Sequence, residues 1–305
     1  MTLRPLFTAT AVFLAVLPLA TAAQEPSTGV VLGGTYSVQG DIVYHTAGGQ
    51  EMTLDLYTPS NVEGPVPVLV YYHGGGWVIG DRTGASLLLL PYLEQGFAVA
   101  NVSYRLEDDA LAPAAVVDAL CALRFIGRMG AQAGIDPTRI VTSGHSAGGH
   151  LSMIVAMLPQ DSGYARECTT VPELFDNEMA DVRPAAVVNW YGITDVNDLL
   201  DGPHRQMYAV QWIGGLHNGD EVARSVSPLT YVREGLPAVI TIHGDADNVV
   251  PHEHGTRMKA ALDEVGVPNE LITVPGGGHG GFSVEQDVGH YAAIWAFLEK
   301  HGVIP

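Results

Sequence analysis

Basic side chains are scarce in this 305-residue sequence, which has 14 lysines and arginines against 33 aspartates and glutamates. Only Lys259 and Lys300 are lysines. With a formal net charge of −19, the surface is expected to carry a negative potential that repels phosphate backbones and anionic lipid headgroups. Nucleic acid is therefore not an expected partner.

Long apolar runs are also scarce, and the one that stands out lies at the start of the chain. Arg4 precedes an apolar stretch over residues 6–20, which ends in a run of small residues. This pattern predicts a secretory signal peptide over residues 1–23. The stretch is too short to span about 30 Å of hydrocarbon, so we expect a mature domain over 24–305 that has no membrane span and is secreted or periplasmic.

The chain has two cysteines, Cys121 and Cys168. In an oxidising compartment a pair of cysteines is usually bridged, so a disulfide between them is expected. The alternative is that Cys121 is a small buried hydrophobe on the apolar face of a helix. No oligomeric state follows from the sequence.

Strand-like runs alternate with longer amphipathic runs along the mature chain, which predicts a mostly parallel sheet with helices on both faces. The first two strands, 41–46 and 52–57, are joined by a glycine-containing turn and predict an antiparallel hairpin at one edge. The same patterns predict six further strands and four helices. The strands are 66–72, 96–104, 139–143, 185–190, 238–243 and 271–274, and the helices are 84–95, 113–131, 151–158 and 291–301.

Two stretches, 160–183 and 194–227, break this alternation and are polar and irregular. The first follows the predicted helix after Ser146, and the second follows the predicted strand 185–190. Both positions are expected over the carboxyl ends of the parallel strands, where ligands bind in α/β sheets. We expect them to form a small cap that shapes the substrate pockets. Ordinary long surface loops are the alternative.

The segment GHSAG at 144–148 lies between a predicted strand and a predicted helix. This is the setting of a nucleophile elbow, a strained turn in which small neighbours allow close packing and leave the serine exposed. Ser146 is therefore the predicted nucleophile, and the N–H of Ala147 is a predicted oxyanion donor.

A second glycine cluster, HGGGW at 73–77, follows the predicted strand 66–72. Glycines allow such a loop to turn its N–H groups towards a carbonyl oxygen that gains negative charge during reaction. We predict that Gly75 and Gly76 form an oxyanion hole with Ala147. His73 is expected to brace this loop, and Trp77 is expected to pack beneath it.

His279 lies in the segment that follows the last predicted strand, 271–274. A loop at the end of that strand can reach the serine, so His279 is the predicted base. The other candidates are expected to be solvated or structural histidines, and they are His145, His150, His252, His254 and His290.

The acid is expected after the penultimate strand, 238–243, where Asp245 and Asp247 both occur. Asp247 is the predicted acid that orients the imidazole, and Asp245 is expected to form a turn. Asp195, which follows the neighbouring strand, remains an alternative acid.

A metal site could be drawn from His252 and His254 with Asp245 and Asp247. No second ligand group with matching spacing accompanies them, so we predict neither a metal nor another cofactor.

With these motifs in place, the chain resembles the hormone-sensitive-lipase-like esterases, and more closely the feruloyl and acetyl-xylan esterases among them. The resemblance runs from residue 41 to 302. It is carried by LDLYTP at 54–59, HGGGW at 73–77, VSYRL at 102–106, GIDP at 134–137, GHSAGGHL at 144–151 and HGDAD at 243–247. It implies an α/β-hydrolase fold with the triad order Ser, Asp, His, and hydrolysis of small-molecule or polymer-linked carboxylic esters.

Kynurenine formamidases are similar at the same glycine loop and elbow, so an aryl-formamide is an alternative substrate. Export favours an ester, because the resemblance to kynurenine formamidases implies a reaction of tryptophan breakdown inside the cell. Aromatic residues near the motifs are candidates for substrate binding, although an aromatic at a strand end is as often core as contact. They are Trp77, Trp190, Tyr191 and Trp212.

Overall fold

A computed structural model describes residues 29–32, 36–60, 62–130, 132–168, 182–215, 217 and 219–305. The predicted signal peptide, 1–23, lies outside the described residues. Within the described part of the chain, no helix is both long and apolar enough to cross a bilayer.

The strands form one sheet in the order β1-β2-β3-β5-β4-β6-β7-β8-β9. β1 to β3 and the β3–β5 pair are antiparallel, whereas β5 to β9 run parallel. The predicted mostly parallel sheet of eight strands is confirmed, and β1 adds a ninth strand at the antiparallel edge. The strands are β1 Gly29–Leu32, β2 Tyr36–Ala47, β3 Gln50–Pro59, β4 Val66–Tyr72, β5 Ala98–Val102, β6 Ile135–His145, β7 Ala186–Trp190, β8 Ala238–Gly244 and β9 Asn269–Val274.

Seven α-helices connect or follow the strands in the described residues. The predicted helix 84–95 is instead a 3-10 helix, Arg82–Leu89, followed by one short α-helix. Pro91 lies in the first turn of that α-helix. Proline has no N–H to donate, so a helix tolerates it in the first turn but not in the interior. The helices are α1 Leu90–Glu94, α2 Ala114–Met129, α3 Ala147–Met157, α4 Met207–Ile213, α5 Gly219–Ser225, α6 Glu253–Glu264 and α7 Val284–Lys300.

Alternation along β4 shows how the sheet is covered on both faces. Val68 and Val70 pack in one cluster with residues of α2 and α3, whereas Leu69 and Tyr71 pack in another with residues of α1 and α7. Successive strand side chains point to opposite faces, and every residue of β4 is buried. A continuous apolar strand is therefore required at this central position.

Strand register brings the ends of the parallel strands level with one another. Tyr72 of β4 pairs with Gly144 of β6, and His145 of β6 pairs with Trp190 of β7. The loops that follow β4, β6, β8 and β9 therefore start at the same edge of the sheet. These loops contain the glycine cluster, Ser146, Asp247 and His279.

The two irregular stretches are placed differently. In 194–227, 3-10 helices at Asn197–Leu199 and Gly202–His204 precede α4 and α5, and α4 lies over the carboxyl edge of the sheet. The stretch 160–183 is described at 160–168 and 182–183, where it packs against α2 through the 3-10 helix Gly163–Glu167 and lines neither cavity beside Ser146. The expectation that this stretch forms part of a cap also falls on residues 169–181, which lie outside the described residues.

Cys121 and Cys168 are joined in a disulfide that ties this stretch to α2 across a sequence separation of 47 residues. Replacing both by alanine is expected to lower the free energy of unfolding by about 4 kcal/mol, because the unfolded chain regains the entropy that the closed loop removes. Urea denaturation of the double variant beside wild type measures this difference. An unchanged midpoint and slope would contradict the prediction.

Candidate active site

Ser146 lies at the sharp turn between β6 and α3. Its backbone has φ 56° and ψ −118°, a conformation that is unfavourable for a residue with a Cβ. A Cβ at either Gly144 or Gly148 would overlap the carbonyl oxygen of Tyr72, so only glycine allows β4, β6 and α3 to approach this closely. The turn is further held by the Ser146 N–H, which donates to the Trp190 carbonyl at 2.9 Å.

The glycine loop after β4 is held from beneath by an aromatic residue. The Tyr104 hydroxyl donates to the His73 carbonyl at 2.8 Å, and the two rings stack with centroids 4.2 Å apart. Gly75 has φ 122° and Gly76 has φ 61°, both in the region that favours glycine. His73 thus braces the loop from a buried position, as its place beside the glycines suggested.

The predicted oxyanion donors are free to bind a ligand. The N–H groups of Gly75, Gly76 and Ala147 have no acceptor within the described part of the chain. Ala147 is the first residue of α3, whose early N–H groups have no partner within the helix. Both glycines line the same cavity as Ser146. The arrangement can therefore stabilise a negative oxygen bonded to a carbon that Ser146 attacks.

His279 and Asp247, the predicted base and acid, lie within hydrogen-bonding distance of each other. His279 Nδ1 lies 2.7 Å from Asp247 Oδ2, and the His279 ring lines the same cavity as Ser146. The other carboxylate oxygen, Oδ1, accepts the N–H groups of Val249 at 2.8 Å and Val250 at 2.9 Å. With both carboxylate oxygens engaged, the acid is rigidly oriented towards the imidazole, which leaves Nε2 as the nitrogen for proton transfer.

Asp247 remains ionised although its side chain is fully buried. Burial by itself raises the pKa of Asp247, but hydrogen bonds with His243 and His279 and from the Val250 N–H lower the pKa well below its usual range. His243 Nε2 lies 3.4 Å from Asp247 Oδ2 and 2.9 Å from the Val250 carbonyl. His243 is a second histidine at the acid, and the sequence motifs alone did not indicate this contact.

The two competing aspartates have other partners. Asp245 Oδ1 accepts the N–H of Gly276 at 2.6 Å, so it braces the start of the loop that carries His279. Asp195 Oδ1 accepts the N–H of Asn197 at 3.1 Å, and its Oδ2 lies 3.5 Å from Arg257. Neither carboxylate is paired with His279, so the geometry favours Asp247 as the acid.

The two histidines considered as metal ligands from the sequence, His252 and His254, contact different partners. His252 Nε2 lies 3.0 Å from the Thr273 hydroxyl, whereas His254 Nε2 lies 3.3 Å from Asp198. Among the described residues, no group of three His, Cys, Asp or Glu side chains is placed to hold a metal ion. His150 Nε2 is also engaged, at 2.6 Å from the Val226 carbonyl.

A cavity of about 410 Å³, called here the inner cavity, contains the reacting groups. Its apolar walls are formed by Ile79, Val249 and the ring of Tyr208 in α4. Tyr208 comes from the stretch 194–227, so this part of the expected cap does contribute to the site. No local motif marks Tyr208, because only packing of α4 over the sheet brings it there.

A second cavity of about 650 Å³, called here the outer cavity, adjoins the inner one. His145 and Tyr191 line both cavities. His145 was expected to be merely solvated or structural, yet its ring stands at the junction, stacked on Trp190 with centroids 5.2 Å apart. In the sequence, the indication of this placement was that His145 directly precedes Ser146.

The aromatic candidates for substrate binding separate into two groups. Trp190 lines the outer cavity and Tyr191 lines both cavities. Trp77 and Trp212 are wholly buried and stack on each other with centroids 4.0 Å apart. The expectation that Trp77 and Trp212 contact substrate is therefore corrected: they join the glycine loop to α4 as core residues.

Gly75→Ala is expected to lower kcat by about 100-fold to 1000-fold, the usual cost of losing one oxyanion donor. A Cβ there would overlap the Ile79 carbonyl oxygen, and φ 122° is strained for alanine, so the N–H must turn away. Steady-state kinetics with a small ester measure the effect. Gly163→Ala is the matched control, because a Cβ at Gly163 meets open space and Gly163 lines neither cavity, and equal losses in the two variants would contradict the prediction.

The α/β-hydrolase class is defined by parallel strands that present a serine elbow, an oxyanion loop and a histidine–aspartate pair at one edge of the sheet. The sequence pattern of the BD-FAE family matches residues 54–262. The chain belongs to this family, which confirms its resemblance to the hormone-sensitive-lipase-like esterases.

Individual relatives agree with this membership. Carboxylesterase NlhH of Mycobacterium tuberculosis is 30% identical over 236 residues, covering 75% of this chain and 71% of NlhH. The chain spans about half the length of several other curated relatives. For example, it covers 53% of the probable carboxylic ester hydrolase LipM of M. tuberculosis.

Two solved structures share the fold. A truncated carbohydrate esterase from gut microbiota has a TM-score of 0.73 and 27% identity, covering 88% of this chain and 98% of that chain. The esterase Est2 of Thermogutta terrifontis has a TM-score of 0.70 and 25% identity, covering 87% and 92%.

Proposed function

We propose that this chain is a serine carboxylic-ester hydrolase that acts through an acyl-enzyme. One observation carries the proposal: Ser146, His279, Gly75 and Gly76 line a single cavity, and Asp247 holds His279 at 2.7 Å. A binding protein with the same fold would not need a serine elbow, a histidine, an aspartate and a glycine loop placed together.

The first half of the reaction forms the acyl-enzyme. Ser146 Oγ attacks the ester carbonyl carbon while His279 takes the hydroxyl proton. The carbonyl oxygen becomes negative and accepts hydrogen bonds from the N–H groups of Gly75, Gly76 and Ala147. When the intermediate collapses, the bond to the alcohol oxygen breaks, and His279 protonates the departing alcohol.

The second half releases the acid. Water attacks the acyl carbon as His279 removes its proton, and Ser146 Oγ leaves and regains a proton from the imidazole. Throughout the cycle, Asp247 stabilises the charged imidazole without accepting its proton. Every proton and electron pair is handled by side chains and water, so the proposed reaction requires no cofactor.

The proposed substrates are short-acyl or aryl esters, including acetyl or feruloyl esters of plant polysaccharide. BD-FAE family membership and the carbohydrate esterase with the same fold support this choice. The proposed location is the periplasm or the medium, which residues 1–23 and the Cys121–Cys168 bridge support.

A fluorophosphonate probe and a substrate panel test this proposal. The probe should label wild type and leave Ser146→Ala unlabelled. The panel consists of p-nitrophenyl esters of increasing acyl length, methyl ferulate, acetylated xylan and N-formylkynurenine. Ester turnover that is faster than turnover of N-formylkynurenine supports the proposal, and the reverse order would assign the chain as an aryl-formamide hydrolase.

A further inference from the structure

We propose that His243 is a positioning residue of the active site, which directs the Asp247 carboxylate towards His279 and weakens the hold of that carboxylate on the imidazole proton. This role rests on the proposed ester hydrolysis, in which Asp247 must keep the His279 ring in one orientation. It is carried by the hydrogen bonds that join His243, Val250 and Asp247, and by the contact between His243 and the carboxylate.

His243 is held in place by the sheet and by α6. It lies at the end of β8, pairs with Thr273 of β9 and is wholly buried. Beside its ring, α6 carries Gly255, where a Cβ would lie only 3.2 Å from His243 Nδ1. Glycine therefore allows α6 to pack closely against the imidazole, next to the turn that contains Asp247.

The hydrogen bonds of the His243 ring determine where its proton lies. A carbonyl oxygen only accepts, so the contact of 2.9 Å between His243 Nε2 and the Val250 carbonyl places the proton on Nε2. Nδ1 is buried and has no hydrogen-bond partner in the described part of the chain. A proton on Nδ1 would be a buried donor without an acceptor, which is unfavourable. His243 therefore donates from Nε2, and its Nδ1 is unprotonated.

Val250 connects His243 to the acid. Its carbonyl accepts from His243, and its N–H donates to Asp247 Oδ1 at 2.9 Å. The Val250 side chain is wholly buried, so core packing also holds this residue. Without the His243 donor, the Val250 carbonyl loses that hydrogen bond, and the turn that orients the carboxylate is less firmly held. His243 thus positions Asp247 through Val250.

The same proton of His243 also lies beside the carboxylate. His243 Nε2 is 3.4 Å from Asp247 Oδ2, the oxygen that lies 2.7 Å from His279 Nδ1. Burial raises the pKa of Asp247, but hydrogen bonds with His243 and His279 and from the Val250 N–H hold it well below its usual range. A carboxylate stabilised by an additional donor attracts the proton on His279 Nδ1 less strongly. Removal of the His243 donor should therefore favour the protonated imidazole of His279.

Other titratable groups surround these three side chains. Burial raises the pKa of both tyrosines and lowers the pKa of His145 to about 3, so these groups are uncharged near neutral pH. Burial also lowers the pKa of His252, whose ring contacts His243, so His252 needs its own control. The surrounding groups are His145, Tyr191, Tyr208, Asp245, His252, Glu253 and His254.

Two variants of His243 separate the donor from the shape of the side chain. His243→Gln keeps an N–H at about the reach of Nε2, whereas His243→Met has a similar length without a donor. The matched control is His252→Gln, because the His252 ring lies 5.5 Å from the His243 ring between centroids, yet its Nε2 contacts the Thr273 hydroxyl rather than Asp247. Circular dichroism and thermal unfolding check that each variant folds, and fluorophosphonate labelling counts the active sites.

The assay measures kcat and KM for p-nitrophenyl acetate as a function of pH. In His243→Met, kcat on the plateau should fall about tenfold or more while KM changes less than about twofold, because the acid is misdirected and substrate binding is not affected. The acidic limb of kcat/KM should move to higher pH by about half a pH unit, since the base must be unprotonated to act and Asp247 then holds the imidazole proton more strongly. His243→Gln should recover most of kcat and the wild-type limb, and His252→Gln should keep both.

Nitrogen NMR of the wild-type protein tests the tautomer without a substitution. With ¹⁵N-labelled histidine, the His243 resonances should show a protonated Nε2 and an unprotonated Nδ1 at neutral pH. Their loss in His243→Gln assigns them. A proton on Nδ1 of His243 would overturn the inference, also where His243→Met does not fold.

The kinetic results that would overturn the inference are distinct from one another. A folded His243→Met with the wild-type kcat would remove the positioning role, and an unchanged acidic limb would remove the effect on the imidazole proton. Equal losses in His243→Gln and His243→Met would leave a packing role only, and an equal shift of the limb in His252→Gln would assign that shift to His252. If wild type neither hydrolyses the ester nor reacts with the fluorophosphonate, the proposed function itself fails, whereas the NMR result on the tautomer still stands.

Discussion

Ser146→Ala is expected to lower kcat for ester hydrolysis by about 10⁵-fold or more, because no other group at the turn can form the acyl-enzyme. The replacement keeps the Cβ, so the strained backbone with φ 56° and the close packing of Gly144 and Gly148 on β4 are preserved. Steady-state rates at saturating substrate, corrected for spontaneous hydrolysis, measure the loss.

The control for this variant is its fold. Thermal unfolding of Ser146→Ala should match wild type closely, since the N–H of residue 146 still donates to the Trp190 carbonyl. Activity within tenfold of wild type, or labelling of the variant by a fluorophosphonate, would show that another residue is the nucleophile.

Asp247→Asn is expected to lower kcat by about 10⁴-fold at neutral pH. The asparagine amide can keep the geometry, but it no longer favours the His279 tautomer with its proton on Nδ1, and it provides no charge to stabilise the imidazolium. The effect should persist across the neutral range, because the pKa of Asp247 is held well below its usual value, so the wild-type carboxylate stays ionised there. A profile of kcat against pH measures both features.

The competing carboxylates provide matched controls for this prediction. Asp195→Asn should leave kcat nearly unchanged, because Asp195 pairs with Arg257. Asp245→Asn should cost less than about tenfold, since Asp245 only braces the backbone at Gly276. A loss in Asp195→Asn as large as that predicted for Asp247→Asn would reassign the acid to the neighbouring strand.

Backbone strain is concentrated around the site. Four non-glycine residues of the described chain have positive φ, and three of them are Trp77 at 62°, Ser146 at 56° and Tyr191 at 40°. Trp77 ends the glycine loop, Ser146 forms the elbow, and Tyr191 follows β7 beside His279. Such conformations persist only where the surrounding packing imposes them, and here stacked rings and a buried sheet supply that packing.

The local motifs could be predicted from the sequence because their chemistry lies within a few consecutive residues. The elbow around Ser146 requires Gly144 and Gly148 as its neighbours, and the oxyanion loop requires consecutive glycines with positive φ. The strand β4 could be predicted because a central strand is apolar along its whole length. His279 followed from its position after the last strand.

The choice between Asp247 and its competitors depended on contacts that cross the fold. Asp195, Asp245 and Asp247 all follow strand ends, and only the paired distances show which carboxylate meets His279. Trp77 is a similar case, because its place beside the glycine loop allowed either packing beneath the loop or a substrate contact, and the stacking of Trp212 of α4 on Trp77 favours packing.

From the sequence alone, the mostly parallel sheet could be predicted, and Ser146, the glycine loop and His279 could be predicted as nucleophile, oxyanion loop and base, because short-range turn geometry and strand periodicity mark them. The tertiary structure alone decided the second histidine at Asp247, the wall formed by Tyr208 and the outer cavity beyond His145. These features arise where residues far apart in the chain meet, and such meetings depend on packing that no local pattern encodes.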